Sequence, residues 1–321
     1  MRVQTLLGLL MLGCPLAAQQ VPDTTFSANV ANPVFEPGAG PTVCIDEGHN
    51  NSHTLDGSYR AFGDLVVADG FSAEPYKDPF TPAALTSCGV LVVANALAPE
   101  NALRRDLAGV VDREWLSEAW KFPHRPAFNS DDIEGLLEWV GDGGRVLLVM
   151  DHAPFAEAAS DLAVLLGAMP LNGPATYRLF VESRESQQEG DFVGTLGHHP
   201  ILEGRPGLDE AIDSILTFGG VGFLAAEGVQ GMLHLPPGAY GIVSPFSATS
   251  PEGWPRFPLD GWVAAVAGTY GRGKAVVLGE AAMCTAQVRG ASQSPMGMNH
   301  PQAPDNSQFC LNVVRWLADV L

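Results

Sequence analysis

Apolar residues in this chain come in short runs that stop abruptly at polar loops. Thr42-Val43-Cys44-Ile45 breaks into Asp46-Glu47-Gly48-His49-Asn50-Asn51, Gly89 to Ala94 ends at Asn95, and Arg145 to Met150 runs into Asp151-His152-Ala153-Pro154-Phe155. Short runs without alternation suit strands buried on both faces. Between them the spacing becomes helical. Tyr59, Phe62, Leu65 and Val66 share a face from Ser58 to Ala68, stopped by Gly70. Ile133, Leu136, Leu137 and Val140 do the same after Ser130, read as an N-cap with Asp131 and Asp132 complementing the helix dipole. Ala156 to Leu166 reads as one further helix. Strand, polar loop and helix repeated with short connections predict a parallel sheet covered on both sides.

From Leu171 to Pro258 the pattern changes to short runs cut by Gly and Pro, among them Ile212 to Leu216 and Tyr240 to Val243. These read as antiparallel strands and loops elaborating the sheet. Val263 to Thr269, the turn Tyr270-Gly271-Arg272-Gly273 and Lys274 to Leu278 make a hairpin-like unit, after which Gly279-Glu280 opens a loop. An amphipathic helix from Asn306 to Leu321, with Phe309, Val313, Trp316 and Leu317 on one side, closes the chain. The expectation is a single α/β domain over residues 41–321, preceded by an aperiodic Pro-, Asn- and Gly-rich leader over 19–40.

Residues 1–18 read as a secretory signal: Met1-Arg2, an apolar run from Val3 to Leu16, and Ala17-Ala18 at the cleavage point. Met11-Leu12-Gly13-Cys14 also loosely resembles a lipobox, which would anchor the chain through a lipid on Cys14. Either way the protein is expected to be exported, to the periplasm or beyond. No later run approaches the length of a membrane span, so no transmembrane anchor is expected in the mature chain. Export makes disulfides available to Cys44, Cys88, Cys284 and Cys310. Cys44 and Cys310 lie inside apolar runs and read as buried free thiols, with Cys284–Cys310 the first pairing to test.

Composition narrows the partners. With 36 acidic against 17 basic residues the formal charge is −19, and removal of residues 1–18, which contain one Arg, takes it to −20. A polyanion repels nucleic acid and anionic lipid. Hydrophobic residues make up 46% of the chain, which excludes disorder.

The polar loops all follow predicted strands, and in an open parallel sheet that is where ligands bind. Asp46, Glu47, His49, Asn50 and His53 follow the first strand, Asn95 the second, Asp151 and His152 the third, and Glu280 the last. If these loops converge, Asp46, His49, Asp151, His152 and Glu280 are the candidate catalytic groups. A histidine beside a carboxylate can do acid–base work, and His49 with His152 could hold a divalent metal. Glu47, Asn50, His53 and Asn95 are the candidate ligand contacts. A second set, Gln287, Asn299, His300, Asn306 and Gln308, offers neutral hydrogen-bonding groups that suit sugar hydroxyls, with Asn299 and His300 the leading contacts. Ile45-Asp46-Glu47-Gly48-His49 is similar to the Asp-x-Gly-His opening of zinc amidases that cleave peptidoglycan, but Leu91 to Asn95 carries no second histidine. There is no Gly-x-Ser-x-Gly elbow, GxGxxG or P-loop, so no nucleotide cofactor is expected.

Asp46-Glu47-Gly48-His49-Asn50, Asp151-His152-Ala153-Pro154-Phe155, His199-Pro200-Ile201 with Gly204-Arg205, Gly279-Glu280-Ala281-Ala282-Met283, Gly297-Met298-Asn299 and Asn306-Ser307-Gln308-Phe309 together carry a resemblance. The chain resembles exported bacterial proteins with a class I glutamine amidotransferase-like domain, related to the domain of gliding-motility and intraflagellar-transport proteins. That implies a flavodoxin-like three-layer sandwich with a mainly parallel sheet and antiparallel elaborations. The amidotransferase cysteine and its His-Glu partners are absent, so glutaminase activity is not implied. Related domains have been proposed to bind glycans. Three readings stay open: a protein that binds a small or carbohydrate-like ligand, a metal-assisted or His/carboxylate hydrolase, and a scaffold for a cell-envelope protein with a vestigial cleft.

Overall fold

The apolar runs fold into strands laid side by side with their polar loops at one end. The computed structural model describes residues 20–102, 125–181, 192–243 and 255–321; the expected signal segment and Cys14 lie outside them. In chain order the elements are β1 (Gln20–Pro22), β2 (Thr42–Asp46), α1 (Arg60–Ala68), β3 (Ser72–Tyr76), α2 (Pro82–Leu85), β4 (Val90–Ala94), α3 (Ser130–Gly141) and β5 (Arg145–Val149). Next come α4 (Phe155–Ala158), α5 (Ser160–Leu165), β6 (Ala168–Pro170), β7 (Leu179–Val181), β8 (Val193–Leu196), α6 (Pro200–Glu203) and β9 (Ser214–Leu216). The remainder are β10 (Phe223–Ala225), β11 (Gln230–His234), β12 (Tyr240–Ile242), β13 (Arg256–Pro258), β14 (Val263–Tyr270), β15 (Gly273–Leu278), β16 (Ala286–Arg289), β17 (Ser294–Gly297) and α7 (Asn306–Leu317).

The main sheet runs β3-β2-β4-β5-β15-β14-β11-β8-β7-β9, with β10 on β14 and β6 on β10. Parallel pairing holds from β3 through β15 and between β7 and β8, while every other pair is antiparallel. The sheet is therefore mixed: the expected parallel part is β3-β2-β4-β5-β15, and the antiparallel elaborations make up most of the rest. The β14–β15 hairpin reverses direction at Tyr270-Gly271-Arg272-Gly273 and so opens the antiparallel part of the sheet. Among the described residues no helix is long and apolar enough to cross a membrane.

Alternate residues of the parallel strands serve two cores. Val43, Ile45, Val90, Val92, Ala94, Leu147 and Val149 join Tyr59, Phe62 and the face of α7 on one side. Cys44, Leu91, Val93, Val146, Leu148 and Met150 join Phe80, Phe128, Leu136 and Trp139 on the other. Successive strand side chains point to opposite faces, so within a strand the parity of a residue decides which side of the sheet it serves.

Several local expectations are corrected. The cap of α3 is Asn129, not Ser130: Asn129 Oδ1 accepts from the amides of Asp131 and Asp132 at 2.9 and 3.0 Å, and Asp132 Oδ2 accepts from Asn129 N at 3.4 Å. The helix expected from Ala156 to Leu166 is two, broken at Ala159 (φ −105°, ψ 4°). Cys44 and Cys310 are not free thiols, because Cys44 is bonded to Cys88 and Cys284 to Cys310. The bridges close loops of 44 and 26 residues, a cross-link that stabilises a domain by roughly 2–4 kcal/mol each, mainly by restricting the unfolded chain. The leader is tied down by β1, which pairs with β16.

One charged network, unforeseen in the sequence, is buried where α7 meets α1. Arg315 grips Asp69 through Nε and Nη2 at 2.8 and 2.7 Å and pairs through Nη1 with Glu210 at 2.9 Å. Arg205 completes it on Glu210, and Arg315 Nη2 also donates to the Asn32 carbonyl in the leader.

Candidate functional site

The loop after β2 is laced over the end of β4. His49 O accepts from Leu97 N at 2.9 Å, Ser52 N donates to Asn95 O at 3.0 Å, and Asn50 Nδ2 donates to Leu97 O at 3.2 Å. Asn50 and Asn95 both sit in the left-handed region (φ 52° and 55°), which asparagine tolerates better than most residues. This lacing carries the loop from one face of the sheet to the other, and its functional side chains divide accordingly.

On the face of Phe80 and Phe128, Asp46 meets His49: Nδ1 lies 3.0 Å from Oδ2 and 3.1 Å from Oδ1. The second ring nitrogen, Nε2, faces Asp132 Oδ2 at 3.6 Å. The imidazole packs against both Phe80 and Phe128, with ring centroids 4.2 and 5.1 Å away. Burial works against charge on this ring, but the Asp46 hydrogen bond and the charges of Asp46 and Asp132 outweigh it, keeping His49 protonated to higher pH than a free imidazole. Asp132 is held in place by its capping role and by Phe80 N, which donates to Oδ1 at 3.2 Å. Gly135 lets the helix come this close, since a Cβ there would meet the Phe80 carbonyl. These residues border a cavity of about 570 Å³ lined by His49, Asn50, Lys77, Arg125, Phe128 and Asp132 among others. Lys77 at its mouth pairs with Glu47 Oε2 at 3.4 Å, and Glu47 Oε1 accepts from Leu55 N at 3.0 Å.

On the opposite face Asp151, Glu280, Asn95 and His53 gather around Tyr59. Asn95 and Asp151 exchange two hydrogen bonds, Nδ2 to Oδ2 at 2.7 Å and Asp151 N to Oδ1 at 2.9 Å. Asp151 Oδ1 also accepts from Ala281 N at 2.8 Å. Glu280, 1% exposed, takes the amides of Phe218 and Met283 at 3.2 Å each. Burial, and then the charge of Asp151, push its carboxyl well above the usual range despite those two amides. His53 stacks on Tyr59 with ring centroids 5.1 Å apart.

The electrostatics divide along the same line. Tyr76 is pushed up to about 12 by burial and by Asp78, Asp46 and Asp132. Tyr59 and Tyr177 are raised by burial and by Asp151 and Glu280.

The expected single cleft is thus two groups. His152 joins neither: it is exposed, and its Nδ1 bonds the Ala153 carbonyl at 2.9 Å. Among the described residues no cluster of three or more His, Cys, Asp or Glu could hold a metal. Members of the second expected set take part in internal hydrogen bonds. Asn299 Nδ2 donates to Asp23 and to the Gln287 carbonyl, both at 2.9 Å, tying the leader to β16. Asn306 bonds both backbone groups of Leu216, and Gln308 donates to Asn312 at 2.8 Å. His300 accepts from Gln302 N and lies edge-on to Phe218. His199, part of the resemblance, is a buried cap: it accepts from Ile201 N at 3.2 Å and packs on Trp316. Burial, then Lys274, lowers it to about 4.

Asp132, Phe128 and Tyr59 are site residues that sequence reasoning missed. Asp132 and Tyr59 were visible only as a helix-dipole residue and a core-facing helix position, and nothing local distinguishes those roles from a place beside His49 or Asp151.

No family model matches the chain, and no curated protein matches it. Solved structures do. The mmIFT52 N-terminal domain aligns over 86% of this chain and 97% of its own, with a TM-score of 0.52 at 13% identity. A ThuA-like protein of Bacteroides uniformis aligns over 90% and 94% (TM-score 0.42, 12% identity), and the cytoplasmic protein STM1381 of Salmonella typhimurium LT2 over 87% and 98% (0.43, 14%). At these identities what is shared is fold, and it is the α/β fold of the intraflagellar-transport domain that the sequence blocks resemble.

Proposed function

We propose that this is an exported protein that binds a small or carbohydrate-like ligand at the carboxyl ends of β2 and β4, without glutaminase activity. The observation that carries the reading is the cavity of about 570 Å³ bordered by His49 and Asp132, a volume within the range of small-molecule sites. Its chemistry suits a sugar. The Phe128 ring offers an apolar surface, Asn50 and Asn129 line the wall, and Asp132 is an acceptor for hydroxyls. Two disulfides support export, as does the signal-like apolar run from Val3 to Leu16. They also remove Cys44, Cys88, Cys284 and Cys310 as thiolate nucleophiles, which glutamine hydrolysis by a cysteine enzyme requires.

The test is titration calorimetry of the purified mature chain against neutral and acidic mono- and oligosaccharides, with Phe128→Ala as control. Saturable binding weakened at least tenfold by Phe128→Ala is expected. A folded protein that binds no saccharide, or binds equally well without Phe128, would sink the proposal.

A second reading, a hydrolase using a His/carboxylate pair, is favoured by one observation: Asp46 holds His49 Nδ1 and so aims Nε2 at the cavity wall formed by Asp132. Release of product from a bound saccharide, lost in His49→Gln and unaffected by a chelator, would establish it over simple binding.

A further inference from the structure

The charges that border the His49 cavity are out of step with the rest of the chain. Acids outnumber bases 36 to 17 overall, whereas among the described residues lining this space Lys77 and Arg125 balance Asp78 and Asp132, and His49 lies beside them. Lys77 directly follows β3 and Arg125 precedes α3, so two separate segments each bring a cation to one cavity. A strongly negative chain repels anions in general and admits one only where cations are gathered locally.

Of these charges, Asp132 is the most committed to the protein itself. It accepts from Phe80 N at 3.2 Å and from Asn129 N at 3.4 Å, and its Oδ2 faces His49 Nε2 at 3.6 Å. Asp46 and Asp132 keep that ring protonated to higher pH, so part of the Asp132 charge is already countered. The cations are committed less. Arg125 is fixed through its backbone, where N donates to Asn101 Oδ1 at 3.1 Å, a bond that does not involve the guanidinium. Lys77 pairs with Glu47 at 3.4 Å, but its side chain is 68% exposed and an ammonium has three donors to place. Asp78, exposed and next to Lys77 in the chain, limits how much negative charge the space can take.

A ligand with one negative charge fits this balance. A phosphate dianion would meet Asp78 and Asp132 with twice the repulsion, and a neutral sugar gains nothing from either cation. A carboxylate also matches the planar fork of an arginine, which binds it through two parallel hydrogen bonds. We propose that the His49 cavity selects an acidic saccharide, a uronic acid or a short polymer of one, whose carboxylate is held by Arg125 and Lys77 while its hydroxyls meet Asp132 and Asn129. The inference rests on the reading of this cavity as a saccharide site and adds that the sugar carries a carboxylate.

The experiment is titration calorimetry of the purified chain with trigalacturonic acid and with its methyl ester, which keeps the sugar and removes the charge. Galactose 6-phosphate and lactate serve as the other two probes. The acid is expected to bind about tenfold or more tighter than the ester, the effect of one charge-assisted hydrogen bond. That difference should shrink at high salt, and should be lost in Arg125→Gln and reduced in Lys77→Gln. An ester that binds as tightly as the acid overturns the inference and leaves the saccharide reading standing, as does a difference that survives in the Arg125→Gln, Lys77→Gln double variant. Tighter binding of the phosphate overturns the carboxylate assignment. Lactate binding as tightly as the acid overturns the saccharide in favour of a bare carboxylate, and binding of none of the four overturns both readings. Both substituted side chains are exposed; if a variant does not fold, the comparison of acid with ester on the wild type decides alone.

Discussion

Glu210 and Glu280 are both almost completely buried, at 2% and 1% exposure, yet burial has opposite outcomes for them. At Glu210 burial alone would raise the carboxyl, but the hydrogen bond from Arg205 and the charge and hydrogen bond of Arg315 reverse this and hold it down at about 2. At Glu280 burial, and then the like charge of Asp151, outweigh the two backbone amides and raise the carboxyl. The first is a charge stored for stability between the leader, α1 and α7. The second is a carboxyl at a strand end that keeps its proton to higher pH than an ordinary glutamate. What a buried acid does is decided by its partners, not by its depth.

The comparison breaks most visibly if its cation is removed. Arg315→Met leaves Asp69 unpaired and Glu210 with Arg205 alone, and is expected to cost about 3–5 kcal/mol in urea denaturation. A loss under about 1 kcal/mol would mean that the network carries little of the fold. Next is the acid limb. Glu210 is lowered when folded, so its contribution is present above the ordinary pKa near 4.5 and lost as pH falls through about 2. Stability measured across that window should fall in the wild type and fall less in Glu210→Gln.

Glu280 has the opposite sign. Raised when folded, its contribution is present below the ordinary value of 4.5 and lost as pH rises through its folded pKa. Glu280→Gln should flatten that decline, at a cost of about 1 kcal/mol for the backbone amide it leaves without an acceptor. A wild type whose stability is independent of pH above 4.5 would remove the contrast with Glu210. The smallest effect is at His49, also raised. Its contribution is present below 6.5 and lost as pH rises through the folded value. His49→Gln should cost about 1 kcal/mol at pH 6 and less at pH 9 by thermal denaturation.

Much of the parallel half of the sheet was legible because its signal is local. Val90–Ala94 and Arg145–Val149 are apolar runs bounded by polar loops, and α1 and α7 show the helical period. Cys284–Cys310 was the pairing singled out, whereas Cys44–Cys88 was hidden by the apolar strand around Cys44. The region from Leu171 to Pro258 was legible only as short strands. Its partners, such as β8 on β11 and β6 on β10, are set by contacts far along the chain.

By itself the sequence determined that polar loops follow apolar strands, and therefore that Asp46, His49, Asn95, Asp151 and Glu280 lie at strand ends. Only the tertiary structure decided which of them meet. Strands buried on both faces show no apolar–polar alternation, so nothing in the chain marks which face a residue serves. That depends on strand register and on what packs against each side. Register puts Asp46 with Cys44 on the Phe80 side and Asp151 with Val149 on the Tyr59 side, and α3 and α1 then supply Asp132 to one and Tyr59 to the other.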